Sequence, residues 1–257
     1  MICAGIDAGS RALKVVLIEA NRSVQIGSGI SAEAGLQERP IREFFLDVLR
    51  AYSIRRKDVK RIVATGYGRA RAGFADTTVT EISCQARGTR HVVPTAATVI
   101  DIGGQDGKVI RLNPDGSVRD FDMNERCAAG TGHFLEMVAQ RLGVSLPALG
   151  TLAGTSRRPA AISSTCAVFA ESEIIGLLAA GQSRGGIAAG VQRSVAARLG
   201  AMAGRRFVAP VVFTGGVALI PGMAAALRRA LKTDVRVAPE PQLTCALGAA
   251  LLAAERP

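Results

Sequence analysis

The feature that most constrains this fold is a turn that occurs twice. Residues 2–7 (ICAGID) and 12–18 (ALKVVLI) are apolar runs joined by Ala8, Gly9, Ser10 and Arg11, which predicts a β-hairpin opening the chain. Residues 97–102 (ATVIDI) and 107–112 (GKVIRL) repeat the arrangement: a strand ending at an Asp, a glycine turn, then a strand with a Lys one residue in. GIDAGSRALK and DIGGQDGKVI therefore read as two copies of one supersecondary unit, and two similar lobes are expected.

A turn that approaches phosphate oxygens needs glycine, because a Cβ holds the backbone N–H groups away and positive φ is often required. Gly9, Gly103 and Gly104 suit that role. Asp7 and Asp101 each end a strand at such a turn, where a carboxylate can hold magnesium-bound water, and Lys14 and Lys108 add positive charge nearby. Taken singly, each turn reads equally well as an ordinary hairpin whose Asp and Gly suit turn chemistry. A third element favours nucleotide: VVFTGGVALIPGM (211–223) is an apolar strand, a Thr-Gly-Gly turn and a helix start, where backbone can approach a sugar and base closely. Neither GxGxxG nor GxxxxGK[ST] occurs, so a Rossmann dinucleotide site and a P-loop are unsupported.

At 257 residues the chain exceeds the usual single-domain size, which fits two lobes around a cleft. A first lobe is expected over 1–94, with 240–257 packing back on it, and a second over 95–239. Helices are predicted at 37–52, 81–90, 130–143, 167–181, 184–204, 221–231 and 244–254, and further strands at 61–65 and 209–214. Hydrophobic residues at 48% and charged ones at 21% describe a soluble globular chain, and no apolar run approaches the roughly 18 residues of a membrane span. The opening MICAGIDAGSRALK lacks the pattern of a signal peptide, so a cytoplasmic location is expected. The net charge of +11 comes from scattered basic residues, nearly all Arg, with RRKDVKR (55–61) the only dense run. With few aromatics for base stacking, that reads as a solvated face, and neither nucleic acid nor membrane is expected as a partner.

Five cysteines without a CxxC pair argue against a disulfide framework or a zinc ribbon. Cys127 lies in MNERCAAGTGHFLEMVAQRLGV, just before a helix whose Phe134, Leu135, Val138 and Leu142 share one apolar face. Cys166 lies in AISSTCAVFAESEIIGLLAAG, again at the mouth of a helix. Helix N-termini favour thiolate and an anionic iron–sulfur cluster. One chain offers two such thiols where a cubane cluster takes four, and a two-fold dimer would double them. That either thiol simply packs remains open on these grounds, and for Cys3, Cys84 and Cys245 packing is the reading adopted.

TGYGR (65–69), DIGGQDGK (101–108), NERCAAGTGHFLE (124–136), SSTCAVFAESEII (163–175) and FTGGVA (213–218) together resemble the activators of 2-hydroxyacyl-CoA dehydratases and the ATPase subunits of benzoyl-CoA reductase, the BadF/BadG/BcrA/BcrD-type ATPases. The resemblance implies an α/β, two-lobed actin/hexokinase/Hsp70-like ATPase fold with duplicated ribonuclease H-like domains. It implies ATP or ADP with Mg2+ surrounded by Asp7, Gly9, Ser10, Arg11, Lys14, Gly103, Gly104, Lys108, Gly215 and Gly216, with Asp101 or Gln105 directing water. It further implies a homodimer, or a paired homologous subunit, bridged by one [4Fe-4S] cluster on Cys127 and Cys166. A donor such as ferredoxin or flavodoxin would supply a low-potential electron, passed on to an acyl-CoA dehydratase or a benzoyl-CoA reductase catalytic component. Arg11 and Leu13 stand where relatives usually carry small hydroxyl residues, so a side-chain phosphate contact is expected to be lost or replaced, and Cys245 stands where a Gly is usual. A small-molecule kinase of the same superfold and a non-catalytic scaffold are the rival readings. His133 is expected at an exposed helix position, and Glu171 and Glu173 facing solvent or a partner.

Overall fold

In chain order the strands are β1 (Ile2–Ala8), β2 (Leu13–Glu19), β3 (Val24–Ser31), β4 (Val59–Thr65), β5 (Thr77–Thr78), β6 (Thr98–Ile102), β7 (Gly107–Leu112), β8 (Val118–Asn124), β9 (Val211–Thr214) and β10 (Val235–Val237). The helices are α1 (Glu38–Ala51), α2 (Glu81–Val92), α3 (Gly132–Arg141), α4 (Leu146–Gly154), α5 (Ala167–Ala179), α6 (Arg184–Ala203), α7 (Met223–Leu231) and α8 (Thr244–Glu255). This computed structural model describes residues 1–32, 38–124, 127–163, 166–204 and 206–255. Gln37 of the first expected helix, Glu125, Arg126, Ser164 and Thr165 of the two cysteine motifs, and residues 256–257 of the expected first lobe lie outside the described residues. The chain divides into two compact units, one of Met1–Ala96, Leu112–Arg119 and Ala238–Pro257, the other of Ala97–Arg111 and Asp120–Val237.

The first unit carries a five-stranded sheet in the order β3-β2-β1-β4-β5. The predicted opening hairpin forms, with Asp7 opposite Lys14 and Ile6 opposite Val15, and β4 adds to β1 in parallel. Because side chains alternate across a strand, the sheet has two apolar faces. Ala4, Ile6, Ala8, Leu13, Val15 and Leu17 pack with Ile41, Phe45, Val48 and Leu49 of α1. Cys3, Val16, Ile18 and Val63 face Cys84 of α2 and the Ala- and Leu-rich α8. Cys3, Cys84 and Cys245 are thus core residues. Glycine brings α8 to backbone distance: a Cβ at Gly5 would lie 1.9 Å from the Ala246 carbonyl, one at Gly88 1.8 Å from that of Thr244, and one at Gly248 1.7 Å from that of Cys84.

The second unit repeats the plan, with strand order β10-β9-β6-β7-β8. Asp101 sits opposite Lys108 in the antiparallel β6–β7 pair and opposite Thr214 in the parallel β6–β9 pair. Its core joins Ile100, Ile102, Val109 and Phe213 of the sheet to Phe134, Leu135 and Val138 of α3 and Val191, Val195 and Leu199 of α6. Five elements, β3, β5, β8, β10 and α4, are absent from the sequence expectation. The reason is plainest for β8, VRDFDMN, whose inward side carries charge: Arg111 is wholly buried and donates to Asp120 and Asp122 and to the Ala203 carbonyl. Both acids lie inward because Arg119, Phe121 and Met123 alternate outward. Two carboxylates and a carbonyl on its Nη atoms offset the cost of burying the guanidinium, while its Nε finds no partner among the described residues. The helix expected at 130–143 begins at Gly132 because Ala128–Gly130 form a separate 3-10 turn and Thr131 is extended. Among the described residues no helix is long and apolar enough to cross a membrane.

Candidate functional site

At the first glycine turn Asp7 is buried, and Lys14 Nζ donates to its Oδ2 at 3.0 Å. Gly9 keeps the turn open, since a Cβ there would lie 2.6 Å from Lys14 Nζ. Ser10 is half-buried and Arg11 is exposed, so both can face a ligand from solvent. Leu13 cannot: it is fully buried among the residues packed on α1, so its side chain offers no phosphate contact. Thr65 closes β4 opposite Asp7, and Gly66 follows at φ +94° with its α-carbon so near that a Cβ would lie 2.5 Å from Asp7 Oδ1. The Gly68 amide donates to the Ala8 carbonyl at 2.8 Å, which fastens the TGYGR turn to the first glycine turn.

The second turn has the same parts. Asp101 Oδ1 accepts from Thr214 Oγ1 at 3.1 Å, and Gly215 follows at φ +84°, where a Cβ would lie 2.7 Å from that oxygen and 2.4 Å from the Ile102 carbonyl. Lys108 Nζ lies 2.7 Å from Asp106 Oδ1 and 3.6 Å from Asp101 Oδ2. The Gly103 amide donates to the Asp106 carbonyl at 3.0 Å, leaving Gln105 exposed at the tip beside half-buried Gly104. Gly216 opens the 3-10 turn Gly216–Leu219. Each Asp therefore lies between a Lys on its antiparallel neighbour and a Thr on its parallel neighbour, with a positive-φ Gly directly after the Thr. Thr65, Gly66, Asp106 and Thr214 were missed as site residues. Their signal was in the chain: Thr-Gly ends a strand at both 65–66 and 214–215.

Cys127 is extended and half-buried immediately before the 3-10 turn, and Asn124 clamps it from both sides. The Cys127 amide donates to Asn124 Oδ1 at 3.1 Å, and Asn124 Nδ2 donates to the Cys127 carbonyl at 2.8 Å. A few residues on, the Gly132 amide donates to the Gly103 carbonyl at 2.9 Å and the His133 amide to the Gly104 carbonyl at 2.8 Å. The start of α3 is thus hydrogen-bonded to the second glycine turn. Cys166 is exposed at the N-cap of α5, its carbonyl accepting from the Ala170 amide at 2.9 Å. Glu171 pairs with Arg141 of α3, and Glu173 Oε1 accepts from the Ser163 amide and hydroxyl at 2.8 Å each. These carboxylates tie α5 to α3 and to the segment before Cys166. His133 is exposed, 3.7 Å from Glu136.

The donor set fits both implied groups. Gly9, Gly103 and Gly215 leave space that a Cβ would fill beside carboxylates and lysines, as an Mg2+–polyphosphate requires. Two thiols outside any disulfide, one before a 3-10 turn and one at the N-cap of α5, are of the type that ligates a cluster. Among the described residues no group of three or more His, Cys, Asp or Glu is placed to hold a metal.

Two α/β units, each a hairpin extended by a parallel strand with Asp at the glycine turn, define the actin/hexokinase-like ATPase fold. A ROK family glucokinase from Streptomyces griseus shares that fold, with a TM-score of 0.60 over 100% of both chains at 13% identity. Residues 4–253 match the BadF/BadG/BcrA/BcrD ATPase family, and the chain belongs to it. It is 45% identical over 262 residues to the activator of lactoyl-CoA dehydratase of Anaerotignum propionicum, covering 99% of this chain and 98% of that one. It is 31% identical over 266 residues to a benzoyl-CoA reductase subunit of Thauera aromatica, covering 99% and 94%. The activator of 2-hydroxyisocaproyl-CoA dehydratase from Clostridium difficile, solved with bound ADPNP, matches with a TM-score of 0.94 at 39% identity over 99% of this chain and 95% of that one.

Proposed function

We propose that this chain is an ATP-hydrolysing activator that delivers a low-potential electron to a 2-hydroxyacyl-CoA dehydratase, working as a homodimer bridged by one [4Fe-4S] cluster. The observation that carries the reading is the pair of hydrogen bonds from the start of α3 to the Gly103 and Gly104 carbonyls, which joins a phosphate-type turn to the segment holding Cys127. The relative at 45% identity, named as a dehydratase activator, supports the choice of partner.

Asp7, Gly9, Ser10, Arg11 and Lys14 of the first unit, with Gly103, Gly104, Lys108, Gly215 and Gly216 of the second, are the residues proposed to hold ATP and Mg2+. Asp101, oriented by Thr214, aligns the attacking water, with exposed Gln105 able to share that task. Cys127, just before the 3-10 turn, and Cys166, at the N-cap of α5, act as the cluster ligands. When bound, the cluster supplies one-electron redox chemistry. A shift of the second glycine turn on nucleotide binding moves the start of α3 through its two amides, and with it the Asn124-clamped Cys127. The electron donor is a ferredoxin or flavodoxin, and the location cytoplasmic. The second reading, an ATPase subunit of benzoyl-CoA reductase, rests on the 31% identical relative.

Protein purified without oxygen should carry about two irons and two sulfides per chain, and Cys127→Ser or Cys166→Ser should lose them while retaining ATP hydrolysis. With a low-potential donor and ATP, the intact protein should start turnover of a 2-hydroxyacyl-CoA dehydratase. Iron-free protein that nonetheless dimerises and hydrolyses ATP after reconstitution would sink the electron-transfer reading.

A further inference from the structure

The two glycine turns differ in how their Asp is held. At the second, Asp101 accepts from the Thr214 hydroxyl, and Lys108 lies closer to Asp106, at 2.7 Å, than to Asp101, at 3.6 Å. At the first, Asp7 is held by Lys14, and the hydroxyl of Thr65, fully buried, finds no hydrogen-bond partner among the described residues. Thr65 is nevertheless the register equivalent of Thr214, directly opposite Asp7 as Thr214 is opposite Asp101. Residues facing one another across a parallel pair point to the same side of the sheet, so Thr65, Val63, Asp7 and Cys3 share the face on which α8 packs. Gly66 brings backbone against Asp7 Oδ1, as Gly215 does for Asp101 Oδ1.

A buried hydroxyl without a partner is costly and uncommon in a folded chain. Here it stands beside a carboxylate whose present donor, a lysine, is the kind of group a polyphosphate would attract.

We propose that Thr65 is a latent positioning residue for Asp7: when an Mg2+–nucleotide draws Lys14 to its phosphates, the Thr65 hydroxyl takes over as donor to Asp7, as Thr214 already does for Asp101. The inference rests on the nucleotide reading above. Asp7 keeps a fixed orientation for magnesium-bound water while its lysine is in use elsewhere. Valine has threonine's shape without its hydroxyl, and serine keeps the hydroxyl, so the pair separates hydrogen bonding from packing.

The test measures ATP affinity, with Mg2+ and with EDTA, and thermal stability without nucleotide, for the full chain and for Thr65→Val, Thr65→Ser and Thr214→Val. Thr65→Val should weaken Mg2+–ATP binding about tenfold, with Thr65→Ser close to the unmodified chain and little change in EDTA. Without nucleotide, Thr65→Val should melt no lower than the unmodified chain, whereas Thr214→Val, losing a bond already made, should melt lower. Thr65→Val that binds Mg2+–ATP as tightly as the unmodified chain, or that melts as low as Thr214→Val, overturns the proposal. An unmodified chain that fails to bind Mg2+–ATP removes the nucleotide reading and the proposal with it.

Discussion

Gly66 and Gly215 show how much chemistry rests on an absent side chain. Each follows the Thr that ends a parallel strand, each has positive φ, and each lies within a Cβ's reach of the Asp on the neighbouring strand. At Gly215 an alanine would take a left-handed backbone costing about 1–2 kcal/mol and place its methyl 2.4 Å from the Ile102 carbonyl. Gly215→Ala should therefore lower the melting temperature by several degrees and abolish ATP turnover, read by calorimetry and by phosphate release. Gly154→Ala is the matched control: it is at the end of α4 with nothing within 4 Å of its would-be Cβ, and should leave stability within about 0.5 kcal/mol and activity unchanged.

At the scale of elements, α3 is the part that connects turn to thiol. Its first amides are among the donors that a helix cannot satisfy internally, and here they are taken up by the carbonyls of Gly103 and Gly104. Gly132 allows that approach, because a Cβ would lie 2.9 Å from the Gly103 carbonyl and 3.3 Å from Val217 Cγ2. Under the proposed function, Gly132→Ala should keep the fold, any bound iron and Mg2+–ATP binding but reduce ATP-dependent electron delivery about tenfold, since coupling energies carried by such contacts are on the order of 1 kcal/mol. The variant is scored by the ratio of dehydratase activation to ATP hydrolysed, and an unchanged ratio would show that α3 does not carry the signal. α8 reaches the first sheet through Gly5 and meets α2 through Gly88 and Gly248, so small residues let these layers meet at backbone distance. Cys245 is buried with its thiol 3.9 Å from the Glu81 carbonyl, so it packs between α8 and α2.

For the whole molecule, the proposed bridging cluster links cluster content to assembly, because a cubane cluster takes four ligands and Cys127 and Cys166 of one chain would give two. A ligand shared by two copies stabilises the dimer by mass action. Stripping iron with a chelator in the presence of ATP should shift sedimentation from dimer toward monomer, and Cys166→Ser should sediment as monomer from the start. A chelated protein that stays dimeric would mean that protein contacts alone hold the pair, and the bridging arrangement would then lose its support.

The parts of the site that lie along one stretch of chain were determined by the sequence by itself. Asp7 with Lys14 and Asp101 with Lys108 meet across hairpins, where turn chemistry and period-two alternation set the register locally, and the helices after Cys127 and Cys166 follow from their own apolar spacing and length. The pairing of Thr65 with Asp7 and of Thr214 with Asp101 was decided only by the tertiary structure, as were the burial of Leu13, the charged inward side of β8 and the use of Glu171 and Glu173 as ties. The physical reason is sequence separation. A parallel neighbour arrives through a long crossover, and a buried ion pair is defined by the partner opposite it, so neither leaves a periodic mark on the chain where its residues stand.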